Sequence, residues 1–274
     1  MNTAPTTYAI RINSHLDDHW SAWLGEPEMT RENDGTTTIT ASIADQAQLH
    51  GVLAGLRDIG AVITELRATA EPVRTCRSVL ERPLHTQRLT LRPATAEDAE
   101  ATWKYRQLES VNEWLTGCPP DLDSYRRLFT EPARLATTVT VTLGHDDGAP
   151  IIGDFMLRRE DARAQLEVAD QAHSTQAELG WVLDPNHTGH GYATEAVREL
   201  LRHCFQDLGV RRVTANCFLD NDTSRRLMER VGMRRELHAV RESLHRSGRW
   251  LDAVGYALLK EEWSSARATV LGAG

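Results

Sequence analysis

The sequence predicts a protein of mixed α and β structure in two parts, a small α+β domain followed by a larger α/β domain. Three observations lead to this prediction. The chain has 274 residues, which is enough for two ordinary domains. Its first 70 residues carry their own strand, turn and helix signals. Residues Gly180–Gly232 then read as a strand, a glycine-containing loop, a long amphipathic helix, a second strand and a capped short helix.

The N-terminal domain is predicted from alternating and turn-forming segments. They are a strand at Tyr8–Ile12, a hairpin around Asn33-Asp34-Gly35, a helix capped by Asp45 and ended by Gly60, and a return strand at Ala61–Leu66. Trp20 and Trp23 are predicted to supply the core, since this domain is close to the smallest size that buries its own core. This domain has no glycine-rich loop and no cluster of a candidate nucleophile with a base. A docking, dimerising or substrate-gating role is therefore expected, and a homodimer stays open.

A polar stretch separates the two parts. Glu71–Arg82 is charged, contains Pro72 and is followed by Pro83, a composition typical of a linker. We therefore predict domains at residues 1–70 and 85–264, a linker at 71–84 and a C-terminal tail at 265–274.

The glycine-containing loop is the segment that first indicates a function. A strand ends at Asp184-Pro185, Gly189 and Gly191 follow, and the chain then enters a helix. Glycines let a ligand approach the backbone closely, and the N–H groups of the first helical turn have no intrahelical partner. A lone Gly-x-Gly also fits an ordinary tight turn. Together with the helix, the loop predicts a binding site for a phosphate or a similar anion.

The segments after the loop have regular helix and strand patterns. The apolar residues of the helix recur at spacings of three and four, which is typical of one buried face: Ala193, Ala196, Val197, Leu200, Leu201, Cys204, Phe205 and Leu208. Gly209 ends this helix. An alternating strand then runs over Arg212–Phe218, and Asn221 caps a second helix that ends at Val231-Gly232. Because Cys204 lies on the apolar face, it is predicted to be a core residue.

This order of segments resembles the acyl-CoA-binding core of the GNAT acetyltransferases, most closely the branch of the ribosomal-protein alanine N-acetyltransferases. The resemblance covers residues 85–264 and includes four further segments, Thr86–Gln107, Ile151–Leu157, Ala177–Leu183 and Ser247–Trp263. The chain departs from the family at Asn186, where the glycine loop usually begins with Gln or Arg. Phosphate contacts in the family come mostly from the main chain, so cofactor binding is still implied. The implied fold is a central, mixed, splayed β-sheet flanked by helices.

The resemblance also implies the reaction and its co-substrate. An acetyl group would pass from acetyl-CoA, without a metal, to a primary amine of a small molecule or of a peptide or protein N-terminus. The residues implied to bind acetyl-CoA are Trp181, Val182, Leu183, Thr188, Gly189, His190, Gly191, Tyr192, Ala193, Thr194 and Asn221. The strand residues among them would pair with the pantetheine arm, and the loop residues would hold the phosphates. Asn221 equally fits a plain helix cap.

Two residues are predicted to take part in catalysis. Attack of an amine on a thioester needs a base for the ammonium proton and a proton donor near the leaving thiolate. Glu178 resembles the acidic residue of the Glu-Leu-Gly-Tyr type motif of this branch and is the candidate base, although a surface glutamate on a strand fits the pattern as well. Ser224 is the candidate proton donor, with an ordinary first-turn serine as the alternative. For Tyr192, its place in the phosphate loop favours packing or contact with adenine.

Composition limits the classes of partner. The formal net charge of −8 argues against nucleic acid, whose phosphates require a basic face. The sequence contains no apolar run of membrane-spanning length and does not begin as a signal peptide. Four scattered cysteines give no disulfide framework, and no His-x-x-x-His pair lies on a predicted helix, so no metal site is expected. We therefore expect a cytoplasmic enzyme that binds neither nucleic acid nor membrane.

The chemical identity of the amine acceptor is the question on which the sequence says least. In this family, the helical region Ala96–Leu115 and the helix Leu122–Phe129 would form one wall of the acceptor cleft. The polar link Arg158–Gln176 carries four carboxylates that would attract a cationic acceptor, with a solvated loop as the alternative. An aminoglycoside-like molecule, a polyamine and a peptide N-terminus all remain open. So does a different function, that of a non-catalytic acyl-CoA-binding or regulatory module.

Overall fold

The computed structural model describes residues 6–13, 28–32, 34–43, 46–69 and 78–271. The chain divides into two compact units, Met1–Thr75 and Cys76–Gly274. The sequence predictions for Trp20, Trp23, Asn33, Asp45 and the part of the linker before residue 78 lie outside the described residues.

The first unit is an antiparallel sheet with one helix. Its elements are β1 (Thr6–Ile12), β2 (Glu28–Arg31), β3 (Thr37–Ile43), α1 (Gln46–Asp58) and β4 (Ile63–Thr69). The described strands have the order β2-β3-β1-β4. Leu56 of α1 shares one buried cluster with Ile10 and Ile39. The strand predicted at Tyr8–Ile12 is confirmed, and its alternate residues Ile10 and Ile12 are fully buried.

The second unit combines strands with short helices. Its strands are β5 (Leu84–His85), β6 (Leu89–Pro93), β7 (Thr138–Leu143), β8 (Ile151–Glu160), β9 (Gln176–Leu183), β10 (Arg212–Phe218), β11 (Arg234–Leu244) and β12 (Trp250–Leu259). Its helices are α2 (Asp98–Arg106), α3 (Glu109–Asn112), α4 (Leu122–Phe129), α5 (Pro132–Thr137), α6 (Ala169–Ala172), α7 (Tyr192–Arg202), α8 (Asp222–Arg230) and α9 (Lys260–Leu271). The strand and helix predicted at Arg212–Phe218 and Leu122–Phe129 are confirmed at those bounds. The region Ala96–Leu115 instead forms two helices, and α9 extends into the predicted tail.

Part of the predicted linker, residues 79 and 80, packs against the rest of the second unit. Leu80 is only 1% exposed and belongs to the core cluster of the second unit. The main chain of Val79 is also held, because its N–H donates to the carbonyl of Ala136 at 2.9 Å and its carbonyl lies 3.3 Å from His203 Nε2. Residues 79 and 80 therefore contribute to the fold of the second unit.

The sheet of the second unit opens between two neighbouring strands. The described strands have the order β11-β12-β10-β9-β8-β7-β6-β5. β9 pairs antiparallel with β8 along its whole length, from Gln176 to Leu183. With β10 it pairs in parallel over three residues, and the last of these pairs is Thr214 with Glu178. Beyond that point β9 and β10 separate, so the splayed mixed sheet is confirmed.

Helix α7 follows the glycine loop and packs against the sheet. Its predicted apolar face is confirmed, because Ala196, Val197, Leu200 and Leu201 are at most 1% exposed. The helix continues as a π-helical turn over His203–Asp207. Cys204 in this turn is fully buried, as predicted for a core residue, and burial raises the pKa of its thiol to about 12.

Candidate functional site

The separation of β9 and β10 creates a cleft with a free strand edge. Leu179–Leu183 of β9 hydrogen-bonds to β8 on one side, while β10 on the other side has already turned away. Unpaired N–H and C=O groups along a strand edge can accept an extended ligand as an additional strand. This edge includes Trp181, Val182 and Leu183, the strand residues implied to bind the cofactor.

The glycine loop lies at the end of β9 and opens directly into α7. Gly189 and Gly191 have φ angles of +79° and +80°, in the left-handed region where a side chain is strained. Gly191 is the N-cap of α7, and its carbonyl accepts the first helical hydrogen bond from Glu195 N at 3.0 Å. The N–H groups of Tyr192, Ala193 and Thr194 precede that first bond and are available to an anion.

Arg88 is a residue of this site that sequence reasoning missed. Its guanidinium Nη1 donates to the carbonyl of His190 in the loop at 3.1 Å. The same group lies over the ring of Tyr192, 4.5 Å from the ring centre. Arg88 Nε also donates to Glu195 Oε2 at 2.7 Å, and Thr86 Oγ1 donates to Glu195 Oε1 at 2.6 Å. Glu195 thus holds a cation beside the anion-binding loop.

The surroundings of Glu195 favour the ionised form of its carboxylate, which binds Arg88. Burial raises its pKa, but the hydrogen bonds from Thr86 and Arg88 outweigh burial and bring the pKa below its usual value. The carboxylate therefore stays ionised and keeps Arg88 in place down to acidic pH.

A groove of about 1110 Å³ extends from the loop along α7. Four arginines line it, namely Arg88, Arg198, Arg202 and Arg230. Arg230 at the end of α8 reaches the first turn of α7, where its Nη1 donates to Thr194 Oγ1 at 3.3 Å. Glu195 and Glu199 offset part of this charge. An open glycine loop flanked by guanidinium groups fits the phosphates of a nucleotide-bearing ligand.

Glu178 lies at the point where the cleft begins. It is the last residue of β9 that pairs with β10. Arg158 Nη2 donates to Glu178 Oε2 at 2.5 Å, and Asn216 Nδ2 donates to Glu178 Oε1 at 3.0 Å. The side chain is 19% exposed, so it is accessible to solvent. Each carboxylate oxygen accepts about two hydrogen bonds, so both oxygens retain a lone pair for a further donor.

Ser224 and Trp181 meet across the opened sheet. Trp181 Nε1 on β9 donates to Ser224 Oγ in the first turn of α8 at 3.3 Å. Asn221 caps α8 as predicted, with Oδ1 accepting from Ser224 N at 3.1 Å. The serine hydroxyl accepts the indole N–H and keeps its own proton for donation. Glu178 therefore lies at the last pair between β9 and β10, and Ser224 contacts β9 beyond that pair.

Tyr192 and His190 pack against each other at the phosphate loop. Their rings are stacked with centres 5.6 Å apart, and Tyr192 also contacts the main hydrophobic core. This arrangement agrees with the packing role expected for Tyr192 from its position in the loop.

The acceptor wall was predicted at Ala96–Leu115 and Leu122–Phe129, and Trp114 of the first of these segments contacts the end of β10. Trp114 lies against Phe218 at the end of β10, with ring centres 5.9 Å apart, and against His245 in the β11–β12 turn. His245 Nε2 also lies 2.8 Å from the carbonyl of Glu113. In the polar link between β8 and β9, Glu160 contacts Arg158 and Asp161 contacts His173, so half of its four predicted carboxylates have local partners.

No helix within the described ranges is long and apolar enough to cross a membrane.

Comparison with known proteins adds family information to this geometry. Residues 88–234 match the family model of the acetyltransferase (GNAT) domain, and residues 7–67 match a domain of unknown function, DUF8691. The uncharacterized N-acetyltransferase YnaD of Bacillus subtilis is 29% identical over 180 residues, which span 65% of this chain and 98% of YnaD. The candidate ribosomal N-acetyltransferase YdaF of Bacillus subtilis is 35% identical over 92 residues, 34% of this chain and 50% of YdaF.

Solved structures agree with the fold. A GNAT-family acetyltransferase from Bacillus anthracis is 26% identical with a TM-score of 0.54, and the match covers 65% of this chain and 99% of that one. Spermidine N-acetyltransferase from Vibrio cholerae, solved with CoA and spermine, has a TM-score of 0.53 at 20% identity, over 65% of this chain and 99% of that one. At this identity the second match is a likeness of fold.

Proposed function

The chain belongs to the GNAT acetyltransferase family, and we propose that it transfers the acetyl group of acetyl-CoA to a primary amine of a small molecule or of a peptide or protein N-terminus. The chemistry is that of an acetyl-CoA-dependent acyltransferase. The observation that carries the proposal is the separation of β9 and β10, with a glycine loop at the end of β9, the carboxylate of Glu178 at the last strand pair and the hydroxyl of Ser224 bound to Trp181 beyond it.

Residues 188–194 and Arg88 are proposed to hold the phosphates of CoA. The loop supplies main-chain N–H groups and the positive end of the α7 dipole, and Arg88 and Arg230 supply charge. The free edge of β9 at Trp181–Leu183 is proposed to pair with the pantetheine arm and to orient the thioester carbonyl toward a main-chain N–H. Asn221 borders the same arm while it caps α8.

Glu178 and Ser224 are proposed to move protons. Glu178 accepts a proton from the acceptor ammonium, directly or through one water, so that a neutral amine attacks the thioester carbon. A bond forms between the amine nitrogen and that carbon, and the bond between the carbon and sulfur breaks. The Ser224 hydroxyl donates a hydrogen bond to the leaving thiolate and passes to it the proton that the attacking nitrogen loses. A carboxylate and a hydroxyl beside the free edge of β9 support this reaction over the alternative of a non-catalytic acyl-CoA-binding module, which requires neither.

The direct test is a thiol-release assay with acetyl-CoA and a panel of amines, combined with calorimetry of CoA binding. Turnover that depends on an amine, with one CoA thiol released per acetylated product, is the expected result. CoA binding without amine-dependent thiol release across aminoglycosides, amino acids, polyamines and peptides would instead favour the non-catalytic module.

Ser224→Ala is expected to lower kcat about tenfold and to leave CoA affinity unchanged. General acids contribute about 10²–10⁴-fold, and a thiolate needs less help because an ordinary thiol has a pKa near 8.5. Trp181→Phe is the matched control, since it removes the same hydrogen bond and keeps the serine hydroxyl. Equal losses in the two variants would mean that the hydrogen bond positions the cleft and that Ser224 is no proton donor.

Removal of residues 1–75 is expected to leave CoA binding unchanged. The division after Thr75 keeps Val79 and Leu80, which belong to the second unit. Removal of residues 1–83 takes Leu80 away as well and should lower the thermal midpoint, because losing a buried leucine costs about 2–5 kcal/mol. Calorimetry and thermal melting of both truncated proteins check the boundary. Loss of CoA binding after removal of residues 1–75 would show that the first unit contributes to CoA binding.

A further inference from the structure

A second cavity of about 340 Å³ lies on the helical side of the second unit. It is lined by residues from α2, from the loop before α4, from α4 itself and from α5, including Arg106, Leu115, Gly117, Tyr125, Leu128 and Arg134. The cavity is separate from the groove along α7, with which it shares no lining residue. Its size suits a group as large as an amino acid.

Two guanidinium groups face this cavity, and one of them has no anionic partner. Arg106 is bound to Asp154 through both Nε and Nη2, and Tyr105 OH also donates to Asp154 at 2.8 Å. Asp154 is therefore the anionic partner of Arg106. Arg134 is half-buried, and within residues 78–271 its guanidinium group contacts no hydrogen-bond acceptor or carboxylate. It lies 5.9 Å from the centre of the Tyr125 ring.

An anion in the cavity would relieve a cost that the free protein carries. Burial, followed by the nearby charge of Arg106, lowers the pKa of Arg134. Burying a charge without a partner is unfavourable, and a second like charge adds to the cost. Guanidinium groups bind planar carboxylates through paired hydrogen bonds, and a partly desolvated site strengthens those bonds.

The cavity is next to the cleft through two connections. Asp154, the partner of Arg106, pairs in register with Val182 on the free edge of β9. The loop that forms the rim at Leu115 and Gly117 also carries Trp114, which lies against Phe218 at the end of β10. Each strand that bounds the cleft is therefore linked to a residue of the cavity through one intermediate residue, Asp154 for β9 and Trp114 for β10.

We propose that this cavity binds the carboxylate of the acceptor, so that the substrate is a small primary amine that also bears a carboxylate, such as an amino acid or a short peptide. The inference rests on the proposed transfer of an acetyl group to an amine. A polycationic acceptor fits this cavity poorly, because Arg134 would repel it.

The test compares Arg134→Gln with Arg127→Gln in the full-length protein. Arg127 lies on the same helix as Tyr125 and Leu128 but does not line the cavity, so its variant makes the same change of charge elsewhere. Thermal melting establishes that both variants fold. The substrates are amino acids and short peptides, each paired with its neutral amide, together with 3-aminopropylphosphonate.

The wild type and Arg127→Gln are expected to prefer each carboxylate to its amide. Arg134→Gln should lose about ten- to a hundredfold in kcat/KM for the carboxylates, mainly through KM, because one charge-assisted hydrogen-bonded contact is lost. Its activity on the neutral amides should not change. Equal activity of the wild type on acids and amides, or a preference for the phosphonate alone, overturns the assignment of a carboxylate site.

Binding of glutarate, measured by calorimetry with the wild type and both variants, separates this inference from the proposed function. Glutarate has two carboxylates and no amine, so its binding requires no acetyl transfer. Binding that Arg134→Gln weakens at least about tenfold, and Arg127→Gln does not weaken, supports the carboxylate site even if no amine is acetylated. Failure of glutarate to bind the wild type at tens of millimolar overturns the site, whatever the outcome of the transferase assay.

Discussion

Glu178→Gln is expected to lower kcat/KM by about a hundredfold or more at neutral pH while acetyl-CoA affinity stays nearly unchanged. Glutamine keeps the size of the side chain but cannot take a proton. Its single carbonyl oxygen can keep one of the two contacts, with Asn216 or with Arg158, because the amide NH2 group is a donor. The loss should become smaller as pH rises, since more of the amine is then neutral before it reaches the enzyme. Steady-state kinetics across the pH range measure both effects.

Glu160→Gln is the matched control for this prediction. Glu160 is the other carboxylate bound to Arg158, at 2.8 Å, but it lies opposite Gln176 where β9 and β10 are still paired. Both variants remove one negative charge next to Arg158, but of the two glutamates only Glu178 lies at the cleft. Similar kinetics for the two variants would remove Glu178 from proton transfer. A loss that is independent of pH would assign it to positioning the acceptor.

Gly191→Ala is expected to weaken CoA binding roughly ten- to a hundredfold. The added methyl group would lie 3.6 Å from Arg88 Nη2, on the side of the loop that faces the groove. There it hinders the approach of a phosphate to the N–H groups of α7, and each charge-assisted hydrogen bond lost is worth about 1.5–3 kcal/mol. Calorimetry with CoA measures the change directly.

Gly209→Ala controls for the strain of the substitution. Gly209 has a φ angle of +68°, and a methyl group there contacts nothing within 4 Å, as expected of a glycine that only ends a helix. Alanine in this region of φ costs about 1–2 kcal/mol at either position, so the two variants should lose similar thermal stability. Equal CoA affinity in both would mean that the Gly191 loop is an ordinary turn.

The elements proposed to bind the cofactor could largely be predicted, because their residues lie close together in the sequence. The bounds of β10, the cap at Asn221 and the apolar face of α7 all follow from local periodicity and capping preferences. The positive φ angles of Gly189 and Gly191 confirm that this turn uses the freedom of glycine. Residues 88–234 also match the family that the motif order resembles.

Other elements were missed because their signals were weak or lay far apart in the chain. The burial pattern of β11, for example, shows almost no alternation because most of the strand is exposed. The region Ala96–Leu115 was predicted as one helical region, but α2 ends at Arg106, whose side chain binds Asp154. The linker-like composition around Leu80 likewise gave no sign that it is a core residue, because its burial depends on contacts with strands that lie far away in the sequence.

The sequence by itself determined the class of fold and the reaction family, and it located the glycine loop that is proposed to bind the phosphates, because each depends on neighbouring residues and on the order of segments. The tertiary structure decided which side chains meet. Arg88 and Glu195 are 107 positions apart, and Trp181 and Ser224 are 43 apart, yet each pair forms one contact of the site. Such contacts arise from strand register and from the divergence of β9 and β10, which depend on the packing of the whole sheet. Local patterns contain no information on that divergence, so the partners of Glu178 and the two cavities emerged only from the folded chain.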